Sequence, residues 1–194
     1  MAGTLAALHR NTAMPTTPTT SSRYSGVAIA LHWLLALMIA GAFGVGLYMA
    51  DLAPSLAKLK LYNWHKWAGV TILALSVLRL VWRITHRPPA DVPAPRWQQV
   101  AAHGTHHLLY LLFFAVPLVG WAYSSAKGFP IVWFGVLPLP DFVPKDEALA
   151  ELIKPWHEAL AWLMAVLVVM HVAAALKHHF IDRDGLLDRM RPGR

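Results

Sequence analysis

Apolar residues along this chain run in four long, nearly uncharged blocks, approximately Ala28–Tyr48, Trp64–Ile84, Leu108–Ser125 and Trp156–Leu176, with polar connections between them. Each block is close to the roughly 20 residues that a helix needs to cross a bilayer. The blocks are continuous and do not alternate, so helices are expected, and strands or a barrel are not. Four spans use most of the 194 residues, which leaves no room for a second globular domain. The expected fold class is an all-α integral membrane four-helix bundle. Around the bundle over 24–182, the pattern predicts a Thr-, Ser- and Pro-rich disordered arm over 1–23 and a basic tail over 183–194.

Composition supports a membrane protein. Hydrophobic residues make up 57% of the chain and charged residues 14%, against about a quarter charged in soluble domains. The chain has no cysteine, which removes disulfides, thiolate-held clusters and covalent attachment of a cofactor through Cys-x-x-Cys-His. The short apolar run after Met1 is broken by His9 and Arg10, so no cleavable signal is expected. The net charge is +7. Because these charges flank apolar spans, they read as topology and not as a nucleic-acid surface. Most basic residues fall on the side that holds the N-terminal arm, the connection from Arg83 to His107 and the tail. The opposite side carries Lys58, Lys60, Lys66, Lys127, Lys145 and Lys154. The positive-inside rule then places both termini in the cytoplasm. The connection from Lys127 to Pro155, rich in proline and aromatic residues, is expected to form an interfacial cap on the outer side.

Four histidines interrupt the spans. His157 and His171 are fourteen residues apart, which brings them to within ~40° on one helix face, about 21 Å apart along the axis. An imidazole in hydrocarbon needs a partner. His32 lies early in the first span and His171 late in the fourth, so depth pairs these two on the cytoplasmic side. His65 and His157 open the second and fourth spans, so depth pairs them on the outer side. Two neutral imidazoles facing each other suit a six-coordinate haem b held without a covalent bond, giving two haem b sites with these four residues as axial ligands of the iron. Zinc would want more ligands or a nearby carboxylate, and only Glu158 adjoins a pair. A proton pathway would favour carboxylates within the spans, which otherwise have none. The plain alternative is four structural polar groups.

Small residues follow each histidine by four positions: Ala36, Gly69, Ala161 and Ala175. That spacing either leaves space for a flat macrocycle or lets helices approach closely. Arg79 shares a face with His65, fourteen residues on; it either meets a haem propionate or snorkels to the interface beside Arg83. His106, His178 and His179 cap the face that carries the ligands and are candidates for a quinone site, or are ordinary histidines at helix ends, as expected for His86, His103 and His107. Trp and Tyr at the span ends read mostly as an interfacial belt.

The motifs Tyr24-Ser25, Ala30-Leu31-His32-Trp33-Leu34, Trp64-His65-Lys66, Arg79-Leu80 with Arg83, His103 to Leu112, Trp156-His157-Glu158 and His171 to Phe180 with Asp184-Gly185-Leu186-Leu187 carry a family likeness. From about Tyr24 to Arg191 the chain resembles the bacterial di-haem cytochrome b561 proteins of the inner membrane. The resemblance implies haem ligation at His32, His65, His157 and His171. Some members resemble superoxide oxidase, which oxidises periplasmic superoxide to dioxygen and reduces ubiquinone; others look like electron-relay subunits serving a partner redox protein. If superoxide is the donor, Lys58, Lys60, Lys66, Lys127 and Lys154 are available to steer the anion on the outer side. The expected partners are membrane lipid, a quinone and superoxide or a redox protein.

Overall fold

The computed structural model describes residues 23–193; the expected disordered arm lies, up to residue 22, outside the described residues. Four helices follow in order: α1 Gly26–Ala50, α2 Leu56–Thr85, α3 Arg96–Ala126 and α4 Glu147–Lys177. They run 25, 30, 31 and 31 residues, which is about 38–47 Å of helix at 1.5 Å per residue. All four are long and apolar enough to cross a membrane.

Each helix exceeds the apolar block that announced it. Hydropathy marks only the stretch that meets lipid, whereas caps mark where the helix begins. Ser55 accepts from the Lys58 amide at 3.2 Å and Asp146 from the Leu149 amide at 3.1 Å, satisfying amides that a helix start leaves free. The fourth helix therefore begins at Glu147, and Pro155 lies inside it and not at the end of a loop as the sequence suggested. The cap itself is shorter than expected but is ordered by a two-stranded hairpin, Val132–Trp133 with Leu137–Pro138. These strands are the one departure from an otherwise helical expectation. The turn needs positive φ at Phe134 (50°) and Gly135 (73°), a twist that matches tight hairpins. Trp67 Nε1 donates to the Val132 carbonyl at 2.6 Å and Trp133 Nε1 to Thr71 Oγ1 at 3.2 Å, pinning the cap onto α2.

At the opposite end the tail turns back. A π-turn over His178–Asp182 leads into Arg183 at φ 52° and a 3-10 turn at Leu187–Met190. The returning segment accepts from the Tyr24 amide at Arg189 (3.3 Å), from Arg23 Nη2 at Arg191 (2.7 Å) and from Trp33 Nε1 at Met190 (2.8 Å). The bundle thus has a loop end, covered by the hairpin, and a termini end, covered by the tail.

The buried core lies between these ends. Leu35 and Ile39 of α1, Ile72 of α2, Leu109, Leu112 and Val116 of α3, and Met164 and Leu167 of α4 form one cluster. Leu37, Leu111 and Val169 are largely exposed, as expected of side chains that face lipid. The outer surface is therefore apolar, the mid-plane is closed by packed aliphatics, and polar side chains collect above and below it.

Candidate functional site

The four span histidines meet in two pairs. His65 on α2 faces His157 on α4, with ring centres 6.1 Å apart and planes at 89°. His32 on α1 faces His171 on α4 at 6.2 Å and 61°. The depth pairing read from the sequence is the pairing in the fold. A metal–imidazole bond is about 2.0 Å and a ring centre lies about 1.1 Å from its nitrogen, so rings on opposite sides of one metal ion have centres about 6.2 Å apart. Rotation about the shared nitrogen–metal axis leaves the angle between the planes free.

The loop-side pair is held by backbone. His65 Nδ1 donates to the Ala42 carbonyl and His157 Nδ1 to the Val116 carbonyl, both at 3.1 Å. With Nδ1 carrying the proton, Nε2 presents its lone pair, the state that a metal ligand requires. One turn beyond each acceptor is a glycine that backs the same ring. A Cβ at Gly46 would stand 3.2 Å from His65 Cε1, and one at Gly120 only 2.8 Å from His157 Cε1. The α1–α2 and α3–α4 hairpins thus repeat one device, a carbonyl and a glycine four residues on, each serving a histidine of the following helix.

The termini-side pair is surrounded by side chains. Arg79 brings Nη2 to 3.2 Å from His32 Nδ1, Nε to 3.2 Å from Tyr110 Oη and Nη1 to 3.3 Å from the Ala28 carbonyl. It therefore turns into the bundle and not toward the interface. His106 on α3 places its ring 5.3 Å from that of His171, too close for the two to flank one metal ion. Beside Arg79, which also lines it, a cavity of about 380 Å³ is lined by Arg23, Arg83 and Arg87, Trp82 and Tyr110, and among the described residues by no acidic side chain.

The other candidates are placed as follows. His178 is bonded to Asp184 at 2.6 Å and lies 3.3 Å from Asp182, while His179 packs edge-on against Phe180; of the three quinone candidates only His106 reaches a histidine pair. Burial pushes the Asp184 carboxyl up, but the Leu186 amide and the His178 ring hold it below the usual carboxylate range. His103 pairs with Asp91 at 3.1 Å and His86 stacks on Trp82, as surface histidines do. Lys58 donates to the Ala50 carbonyl at the end of α1 (3.4 Å) and to the Leu52 carbonyl just beyond it (2.5 Å), and Lys66 reaches the Phe129 carbonyl (3.3 Å). Lys127 pairs with Glu147 and Glu151, which raise its pKa, and Lys154 with Glu158 at 3.8 Å. Lys60 makes no ion pair among the described residues.

Of the four small residues, Gly69 serves helix packing: its Cβ position lies 4.0 Å from Pro117 Cβ. The glycines that touch the rings, Gly46 and Gly120, were not found from sequence. The signal was available, because both lie at the loop-side depth, but spacing from the histidines along their own helices could not reveal it.

The donor set fits haem. Each level brings two imidazole rings to the separation that one iron requires, no third metal-ligating group closes on either pair among the described residues, and the termini side has a cation ready for a carboxylate. Comparison with known proteins agrees. The family model described as prokaryotic cytochrome b561 matches residues 23–193. Cytochrome b561 homolog 2 of Escherichia coli is 38% identical over 181 residues, covering 88% of this chain and 92% of that relative. Cytochrome b561 homolog 1 of the same organism is 34% identical, over 89% of this chain and 99% of its own length. The probable superoxide oxidase CybB of Yersinia pestis is 31% identical, over 88% and 96%.

Proposed function

The chain belongs to the prokaryotic cytochrome b561 family, a haem b-binding family of membrane electron-transfer proteins, and from that premise we propose that it carries two haem b groups, one between His32 and His171 and one between His65 and His157. The observation that carries this reading is the matched separation of the two pairs, 6.2 and 6.1 Å. Haem b, once bound, supplies a reversible one-electron couple at each level and needs no open coordination position for outer-sphere exchange.

The protein's own part is to hold and insulate. His65 and His157 are locked in the ligating tautomer by carbonyls, and Gly46 and Gly120 keep their rings in register. The aliphatic layer around Leu35, Leu112 and Leu167 keeps water from the mid-plane. Arg79, with Tyr110, is proposed to take a propionate of the termini-side haem. With both termini cytoplasmic in the inner membrane, the electron source is periplasmic superoxide and the acceptor ubiquinone. Two superoxide anions each lose one electron to become dioxygen; the quinone gains two electrons and two protons. His106, His178 and His179 are proposed for the quinone end, with His106 nearest the ligands. Steering of superoxide falls mainly to Lys60 with Lys58 and Lys66, because Lys127 and Lys154 are paired with carboxylates. Superoxide-driven quinone reduction that slows as ionic strength rises supports steering; salt independence removes it.

The relatives named only as cytochrome b561 homologs support a second reading, in which the chain relays electrons between the quinone pool and a partner redox protein docked on the hairpin cap, where Phe129, Phe134 and Phe142 are exposed. Purified protein decides. Superoxide oxidation coupled to quinone reduction without any partner supports the oxidase, and inactivity until a donor protein is added supports the relay. An optical redox titration of wild type beside His32→Ala and His65→Ala tests the di-haem core: each substitution removes one component and leaves the other.

A further inference from the structure

We propose that the groups meeting the two imidazole pairs set their haems at different reduction potentials, the termini-side one higher, so that electrons run downhill from the loop end to the termini end. This rests on the di-haem reading above and adds which chemical groups make the slope.

At the loop-side pair, both Nδ1–H groups are accepted by peptide carbonyls, Ala42 and Val116, at 3.1 Å. An acceptor there sends electron density to the opposite ring nitrogen and makes the imidazole a stronger donor, which stabilises the oxidised metal. Among the described residues no cation is bonded to either ring. Lys66, beside His65 in sequence, turns its ammonium to the carbonyls of Phe129 (3.3 Å) and Pro130 (3.4 Å). Glu158, beside His157, faces Lys154 at 3.8 Å.

At the termini-side pair the partners have the opposite sign. His32 Nδ1 meets the Arg79 guanidinium at 3.2 Å, a group that only donates and never loses its charge. Arg83 lies over the same Tyr110 ring that Arg79 faces, at 5.7 Å, so a second guanidinium stands on this side. His171 has no carbonyl on its ring among the described residues; its near neighbour is the His106 ring. Fixed positive charge disfavours the oxidised iron, which carries one more positive charge than the reduced form. Because a guanidinium donating to Nδ1 leaves the ring proton on Nε2, ligation by His32 requires Arg79 to turn from the ring to the propionate proposed for it, whose charge it then offsets. Among the described residues His32 Nδ1–H still lacks the carbonyl acceptor that both loop-side rings possess. Donor strength and field therefore act in one direction.

The test is a spectroelectrochemical titration of the purified holoprotein as wild type, His32→Ala, His65→Ala, Arg79→Gln and Arg79→Lys. The expected result is two components, of which the higher disappears in His32→Ala and survives in His65→Ala. Arg79→Gln lowers the higher component alone by at least a tenfold change in its equilibrium, about 59 mV for one electron, and Arg79→Lys keeps most of the separation. The proposal is overturned if the lower component disappears in His32→Ala, or if Arg79→Gln moves neither. Should Arg79→Gln lose its haem, the two histidine variants decide the order; should those fail to fold, Gly120→Ala, which crowds His157 alone, must perturb the lower component. A wild type that binds fewer than two haems per chain overturns the di-haem reading itself, whereas two haems that titrate as one component, or in reversed order, overturn only the slope.

Discussion

The loop-side pair is positioned by main chain and the termini-side pair by side chains, and the two differ accordingly in what can change them. Carbonyls of Ala42 and Val116 stay in place whatever side chain those residues carry, so the loop-side rings are oriented by helix geometry alone. The termini-side ring of His32 depends on Arg79, Tyr110 and Trp33, each of which a single substitution removes. One level is thus fixed by the fold and the other is adjustable within it.

The largest effects come from the four paired histidines. His157→Ala is expected to abolish the loop-side optical component and His171→Ala the termini-side one, each leaving the other; loss of both from either variant would show that the levels are not independent. Next come the glycines. Gly120→Ala forces a Cβ to 2.8 Å from the His157 ring, an overpacking expected to cost about 1–3 kcal/mol, and Gly46→Ala, at 3.2 Å, costs less. Thermal melts and haem retention check the order, and equal effects would break the view that backbone approach is tightest at α3–α4. Smaller effects follow from the two covers. Trp133→Phe and Trp33→Phe each lose one hydrogen bond, about 0.5–1.5 kcal/mol, the first loosening the hairpin and the second the tail. Limited proteolysis should report the loss at the matching end only.

The smallest effect is that of pH on the tail. The Asp184 carboxyl has its pKa lowered from 3.8, so its contribution is complete above that value and is lost as pH falls through the depressed one. Protection factors of residues 185–190, hydrogen exchange divided out by its intrinsic pH dependence, should be steady from neutral pH to about 4 and fall only below it; Asp184→Asn should remove that acid dependence.

Much of this architecture was legible because polar residues inside apolar runs are conspicuous. His32, His65, His157 and His171 stood out by type, and their depth in each span gave the pairing without any knowledge of packing. Arg79 was placed on the right face and level for the same reason, although its bond to His32 depends on the rotation of α1 against α2, which no single helix encodes. Gly46 and Gly120 were hidden because their role exists only across an interface: each matters through the ring of a neighbouring helix. The first turns of α3 and α4 were missed because residues 96–107 and 147–155 are too polar to register as span; α4 starts at the Asp146 cap, whereas α3 starts after Pro95 without a side-chain cap. The returning tail gave no periodic signal, since main-chain carbonyls at Arg189, Met190 and Arg191 do the bonding.

That tail has a consequence for how the molecule is made and handled. Met190 is tied to the indole of the residue next to His32, although it follows all four helices in the chain. The hairpin-covered half can close once α4 is made; the other half waits until Met190 has left the ribosome. A load placed on residues 189–191 would be felt beside His32, so handles are better attached away from this strap.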